Sequence, residues 1–143
     1  MKLEVKVAKT QAEINSAKKI RSLVFNIEQG IPEEMEFDKN DDSSTHFIAL
    51  FNNKVIGTAR ITIIEKGIAN GSRLAILKEH RNLNAGRLIM NKIKEIAIQL
   101  GINKIIIEPH NYLEKYYSHF GFKRIEGYQS FGDIKLIRME IYL

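Results

Sequence analysis

The chain has 143 residues, 44% hydrophobic and 27% charged, with no cysteine and a formal net charge of +5. A chain of this size buries roughly two-thirds of the surface its unfolded form exposes. Residues 1–143 therefore read as one domain that needs no disulfide or structural metal, and the missing thiols exclude a cysteine nucleophile, Cys-ligated zinc and an iron–sulfur cluster. No apolar run reaches the ~20 residues of a membrane span, and Met1-Lys2-Leu3-Glu4-Val5-Lys6 alternates where a signal peptide is continuously apolar. The expected location is cytoplasmic. A pI of about 9.4 leaves nucleic acid, anionic membranes and phosphate-bearing ligands open as partners.

Leu3, Val5 and Val7 alternate with charged residues, the period of a strand with one buried face. Thr10-Gln11-Ala12-Glu13 reads as a capping box, so a helix follows, with Ile14, Ala17, Ile20 and Val24 at helical spacing and Gly30-Ile31-Pro32 as its stop. Residues 28–42 carry seven acids and one lysine, a surface loop or short helix. Next come a strand over 46–51, a tight turn at Asn52-Asn53-Lys54, a strand over 55–64, a reversal over 65–71 and a strand over 72–77, together an antiparallel meander. The period then changes to helical: Leu88, Ile89, Ile93, Ile96, Ala97 and Leu100 form an amphipathic helix ended by Gly101. Ile105-Ile106-Ile107 is a strand buried on both faces, which makes strand, helix and strand a βαβ unit with a locally parallel pair. Asn111 is positioned to cap a short helix over 112–120, and strands over 123–128 and 135–142 end the chain. The fold class is α/β with a mixed sheet.

The stretch from Arg73 to Arg87 feeds a strand through a basic turn into a helix. Helix N-termini aim unpaired amides and a positive dipole end at whatever lies beyond them, which suits an anion. Gly86 permits close backbone approach, Asn84 tolerates positive φ, and Lys78, Arg81 and Arg87 add charge. An ordinary strand-to-helix turn with surface arginines accounts for the same residues.

Three blocks in this order resemble one family. Arg81-x-x-Asn84-x-Gly86 is similar to the acyl-CoA signature Q/R-x-x-G-x-G/A of the GNAT superfamily of N-acetyltransferases, with Asn84 in place of the first glycine and Asn82 where a glycine often follows the arginine. Tyr117-Ser118-His119-Phe120-Gly121-Phe122 resembles the end of the family's L-Y-E-K-L-G-F. Arg21-x-x-Val24-Phe25-x-x-Glu28-Gln29, Glu36-x-Asp38-x-x-Asp41 and His46 resemble the amino-terminal signature of the ElaA-like branch. The resemblance implies a GNAT-like acyl-CoA N-acyltransferase fold whose loop-preceding strand splays from its parallel neighbour. Acetyl-CoA would then be the co-substrate, its pantetheine arm on the backbone of Leu74, Ala75 and Ile76 and its pyrophosphate on Arg81, Asn82, Leu83, Asn84, Ala85, Gly86 and Arg87. His110 stands where the family has Asn or Gln facing that arm. Tyr117 matches the tyrosine that protonates the departing thiolate, a step a phenol of pKa about 10 can perform for a thiolate whose conjugate acid lies near 8.5.

Transfer to an amine also needs a base. Glu108, at the end of the buried strand, is the first candidate, with Glu28, Glu36, His46 and His110 as alternatives. Arg21, Phe25, Glu28, Glu36, Asp38 and His46 are the expected acceptor-side residues. No metal is expected: Asp38-x-Asn40-x-Asp42 begins like a calcium loop, but Ser43 and Ala49 stand where Gly and Glu are required. The leading reading is a cytoplasmic acetyltransferase acting by direct transfer to a small-molecule or peptide amine. No nucleic acid or membrane partner is expected. The rivals are a non-catalytic acyl-CoA sensor and an acyl-homoserine-lactone-synthase-like acyltransferase. Homodimer pairing through the final strand (Ile134, Leu136, Ile137, Ile141) completes the expectations. Charge partition supports two substrates: residues 28–42 hold −6 of a total of +5, leaving +11 for the rest. Arg73, Lys78, Arg81, Arg87, Lys92 and Lys94 would face the CoA phosphates, and the acids would draw in a cationic amine.

Overall fold

Seven strands form one mixed sheet in the order β1-β2-β3-β4-β5-β7-β6. The computed structural model describes residues 2–131 and 134–143, without the side chains of 126–134. Met1 and the side chain of Ile134 therefore lie outside the described residues. The strands are β1 (Leu3–Val7), β2 (Thr45–Phe51), β3 (Lys54–Glu65), β4 (Ile68–Ile76), β5 (Lys104–Ile107), β6 (Lys123–Phe131) and β7 (Ile134–Tyr142). All neighbouring pairs are antiparallel except β4 and β5.

The helices are α1 (Gln11–Arg21), α2 (Glu33–Glu36), α3 (Ala85–Gln99) and α4 (Glu114–Ser118). Thr10 and Glu13 close the capping box of α1 as the sequence reads. Past Arg21 the helix widens into a π-helical turn over Ser22–Glu28, which periodicity did not announce. The α1 side of the sheet packs Ile20 and Val24 on Ala75, and Ala17 on Ile48. The other face meets α3 through Ile89, Met90, Ile93 and Ala97, in a core with Phe47, Ile61, Ile105 and Met139. No helix among the described residues is long and apolar enough to cross a membrane.

Three expectations change. The reversal expected over 65–71 is confined to Lys66 and Gly67, and β4 starts at Ile68, so Gly71 lies inside a strand. Its missing side chain lets Ile107 and Ile105 of β5 come close: a Cβ there would meet their Cγ2 atoms at 3.2 and 3.4 Å. Asn111 makes no side-chain cap; α4 follows a 3-10 turn over Asn111–Leu113 and starts after Leu113. The final strand is not an edge. β7 pairs with β5 on one side and β6 on the other, and Ile137 and Ile141 pack in or against the core, so β7 has no free edge to offer a second chain.

Candidate functional site

The parallel contact between β4 and β5 lasts three residue pairs, Ile68 with Lys104, Ala69 with Ile105 and Asn70 with Ile106. Beyond it the strands part. β4 stays with β3 through Gly57–Ile76 and the amide of Leu77, which donates to the Ile56 carbonyl at 2.8 Å. The chain leaving β5 follows β7: the Ile137 amide donates to the Pro109 carbonyl at 2.9 Å, and His110 bridges Leu136. At the split Arg73 has φ +58, a left-handed residue at a bulge between the Thr58–Ala75 and Arg60–Ser72 pairs. The Ala75 carbonyl faces β3, 3.2 Å from where a Cβ on Gly57 would lie, and because backbone direction alternates along a strand Leu74 and Ile76 turn their polar groups the other way, toward the opening. Ala75 is thus withdrawn from the expected cofactor set; it is buried beneath Ile20 and Val24.

The opening leads to the loop after β4, where Lys78–Leu83 form a 3-10 turn and Asn84, at φ +62 and ψ +28, swings the chain into α3. Asparagine is among the few side chains that adopt this conformation cheaply, so the turn forms without the glycine of the signature. No side chain caps α3, which leaves the amides of its first turn available to an anion. Ala85 and Gly86 are buried, whereas Arg81, Asn82, Asn84 and Arg87 are exposed and Leu83 packs on the core. The Arg81 guanidinium bonds both oxygens of Glu28 at 2.8 and 2.7 Å and donates from Nε to the Ile76 carbonyl at 2.9 Å.

Tyr117 extends from α4 into the apolar cluster that includes Leu74 and Ile76, its ring edge-on to Phe122. Burial, with a smaller contribution from Tyr116, pushes its phenol up to about 12, so it is protonated at neutral pH. Glu108 lies just past β5, one-third exposed, with Arg138 at 3.9 Å as its nearest cation. The His110 ring stacks on Tyr112 at 5.2 Å.

The acceptor-side residues assemble differently from expectation. Arg21, Asp41, Arg60, Asp38, Arg73 and Glu36 form a closed ring of alternating charge, with contacts between 2.7 and 3.2 Å. The side chains of Arg21, Glu36, Asp41 and Arg60 are at most 5% exposed, while Arg73 is 24% and Asp38 33% exposed. Hydrogen bonds from Arg60 hold the Asp38 carboxyl down at about 2. Burial pushes Asp41 up, yet bonds from Arg21 and Arg60 outweigh it and leave it below its usual value. His46, 3% exposed, meets the Asp41 carbonyl through Nε2 at 2.8 Å. Glu36 is consequently a structural counter-ion. Both its oxygens are held by arginines, which removes it as a base or as a contact for an incoming ammonium. Phe25 and Glu28 sit apart from the ring on the π-helical turn, Phe25 half-buried against Ile20 and Val24.

The basic excess is also redistributed. Arg73 serves the ring, Lys92 pairs with Glu95 at the surface, and Lys94 donates to the Phe120 carbonyl. Sequence reasoning passed over Arg60, although its signal was present: a lone arginine inside the apolar run Thr58-Ala59-Arg60-Ile61 of a strand covered on both faces has to be paired.

The sequence matches the acetyltransferase (GNAT) domain family over residues 10–143. It is 26% identical over 117 residues to the uncharacterised N-acetyltransferase YjcF of Bacillus subtilis, covering 82% of this chain and 83% of that one. Escherichia coli ElaA superposes with a TM-score of 0.84 at 18% identity, covering 97% of this chain and 99% of the other. An acyl-CoA N-acyltransferase from Pseudomonas aeruginosa gives 0.82 at 21% identity, covering 97% of each chain. A family match over almost the whole length, on a sheet that opens beside an uncapped helix N-terminus, identifies the chain as a GNAT-family, acyl-CoA-dependent acetyltransferase.

Proposed function

We propose that the enzyme moves an acetyl group from acetyl-CoA directly to a primary amine in a ternary complex, with Tyr117 as the acid to the leaving thiolate. The observation that carries this reading is the free side of β4 above the uncapped start of α3, with a partly buried, protonated phenol packed in the same cluster as Leu74 and Ile76. The residues fit the co-substrate: the backbone of Leu74 and the amide of Ile76 are on offer to an amide-bearing arm, the Ile76 carbonyl being taken by Arg81 Nε, and the loop and first helical turn to a pyrophosphate. The amine nitrogen attacks the thioester carbonyl, the carbon–sulfur bond breaks, and the sulfur takes the Tyr117 proton. With Glu36 committed to arginines and His46 buried, Glu108 is the base we favour for the ammonium proton, since it is accessible and loosely paired. The chain has no cysteine, and direct transfer needs none.

The test is thiol release from acetyl-CoA with small amines, polyamines, aminosugars and peptide N-termini, the product identified by mass. Wild-type enzyme is expected to release thiol only with an acceptor present, and Tyr117→Phe to lower kcat by about 10²-fold with little change in acetyl-CoA binding. Unchanged turnover in Tyr117→Phe would remove the acid from the mechanism.

A further inference from the structure

Tyr116 stands beside Tyr117 but does something different with its hydroxyl. A Cβ built on Gly86 would collide with that hydroxyl, so the phenol reaches over the first turn of α3 into the space a side chain at 86 would take. Its direction is fixed by its neighbours. The ring meets Tyr117 edge-on at 5.1 Å and Phe120 edge-on at 5.0 Å, and Phe120 in turn carries the Arg87 guanidinium at 5.5 Å. The residue is 40% exposed, and among the described residues its hydroxyl has no hydrogen-bond partner. Burial raises its pKa while the Arg87 charge opposes the rise, so the group is a proton donor at neutral pH. The motif to which this segment was compared has leucine here, which offers packing and no hydroxyl. An oriented donor, an exposed arginine and uncapped amides thus converge on one helical turn.

We infer that Tyr116 is a co-substrate-binding residue, its phenol donating a hydrogen bond to the pyrophosphate of an acyl-CoA seated at the start of α3. The inference rests on the acetyl-CoA reading above and gives Gly86 a role of its own: its bare Cα makes room for the phenol. The two tyrosines divide the work, Tyr116 serving binding and Tyr117 serving the chemical step.

Calorimetric titration of CoA and of dephospho-CoA into wild type, Tyr116→Phe and Tyr117→Phe tests this without turnover. A hydrogen bond to a charged oxygen predicts a Kd raised about tenfold for both ligands in Tyr116→Phe. Tyr117→Phe should stay within about twofold, because its hydroxyl is assigned to the chemical step. Phenylalanine keeps the ring contacts, and matching far-ultraviolet spectra check the fold. Wild-type affinity in Tyr116→Phe, or a loss seen with CoA and absent with dephospho-CoA, overturns the assignment to the pyrophosphate. A flat wild-type titration would instead overturn the acetyl-CoA reading, and this inference with it.

Discussion

Two charge-rich segments of the molecule dispose of their charge in opposite ways. The stretch holding Glu36, Asp38 and Asp41 closes on three arginines from α1, β3 and β4, and four of those six side chains are almost completely buried. The loop from Lys78 to Arg87 is mostly exposed, and the ion pair recorded for it joins Arg81 to Glu28. The first segment spends its charge on structure and the second leaves most of its charge at the surface. Charge counted along a chain is therefore a poor guide to charge that a substrate can meet, because pairing across the fold decides what is left.

Breaking the ring is the severest test of that contrast. Arg21→Met leaves Glu36 and Asp41 each short of a partner inside the protein, a loss expected to cost about 3–5 kcal/mol. For a chain of this length that lowers Tm by on the order of 10 °C in a circular-dichroism melt. Arg87→Met, in the loop, should stay within about 0.5 kcal/mol of wild type in the same melt. Equal Tm values for the two variants would erase the distinction between the segments. Smaller in effect is Asp38→Asn, because Asp38 is the ring's most exposed carboxylate. We propose that Asp38 alone among the ring acids keeps the expected acceptor-side role: the variant should then raise KM for a cationic amine more than for acetyl-CoA, whereas equal rises would leave Asp38 as a counter-ion like Glu36.

Acid makes the same comparison through pH. Arg60 and Arg73 hold Asp38 at about 2 in the folded chain, against an ordinary value near 3.8, and Asp41 is also lowered. A depressed carboxyl stabilises the fold fully above its unfolded pKa and loses that contribution as pH falls toward the folded one. Thermal stability should therefore drop between about pH 4 and pH 2, and Asp38→Asn, which has no such proton to take up, should flatten part of that drop. A wild-type melt unchanged across the window would mean that the ring carboxylates contribute nothing at acid pH.

What the residues announced and what they withheld follow one division. Features carried by neighbours in sequence were legible: the capping box of Thr10 and Glu13, the strand alternation of Leu3, Val5 and Val7, the meander, the left-handed Asn84 and the uncapped loop into α3. Features made by distant residues were hidden. The ring joins Arg21 to partners 15 and 20 positions away and Arg73 to ones 35 and 37 away, so the acids read locally as a solvated patch. Gly71 looked like a turn because glycine usually marks one, whereas here it lets β5 approach β4. The π-helical turn keeps apolar spacing close enough to helical that its onset at Ser22 leaves no mark in the sequence.

Glu28 provides the finest adjustment of the contrast, because it is the acid that crosses between the two segments. Its carboxylate grips Arg81 with two bonds, and Arg81 lowers its pKa in return. Both side chains are more than a third exposed, and a pair so open to water adds little to stability. It matters more for what Arg81 can do. A carboxylate on that guanidinium competes with any phosphate that approaches the loop, so Glu28→Gln should leave Tm almost unchanged yet tighten CoA by about fivefold or less. Weaker CoA binding in Glu28→Gln would give the pair the opposite meaning, a strut that holds Arg81 and the Ile76 carbonyl in the geometry the ligand needs.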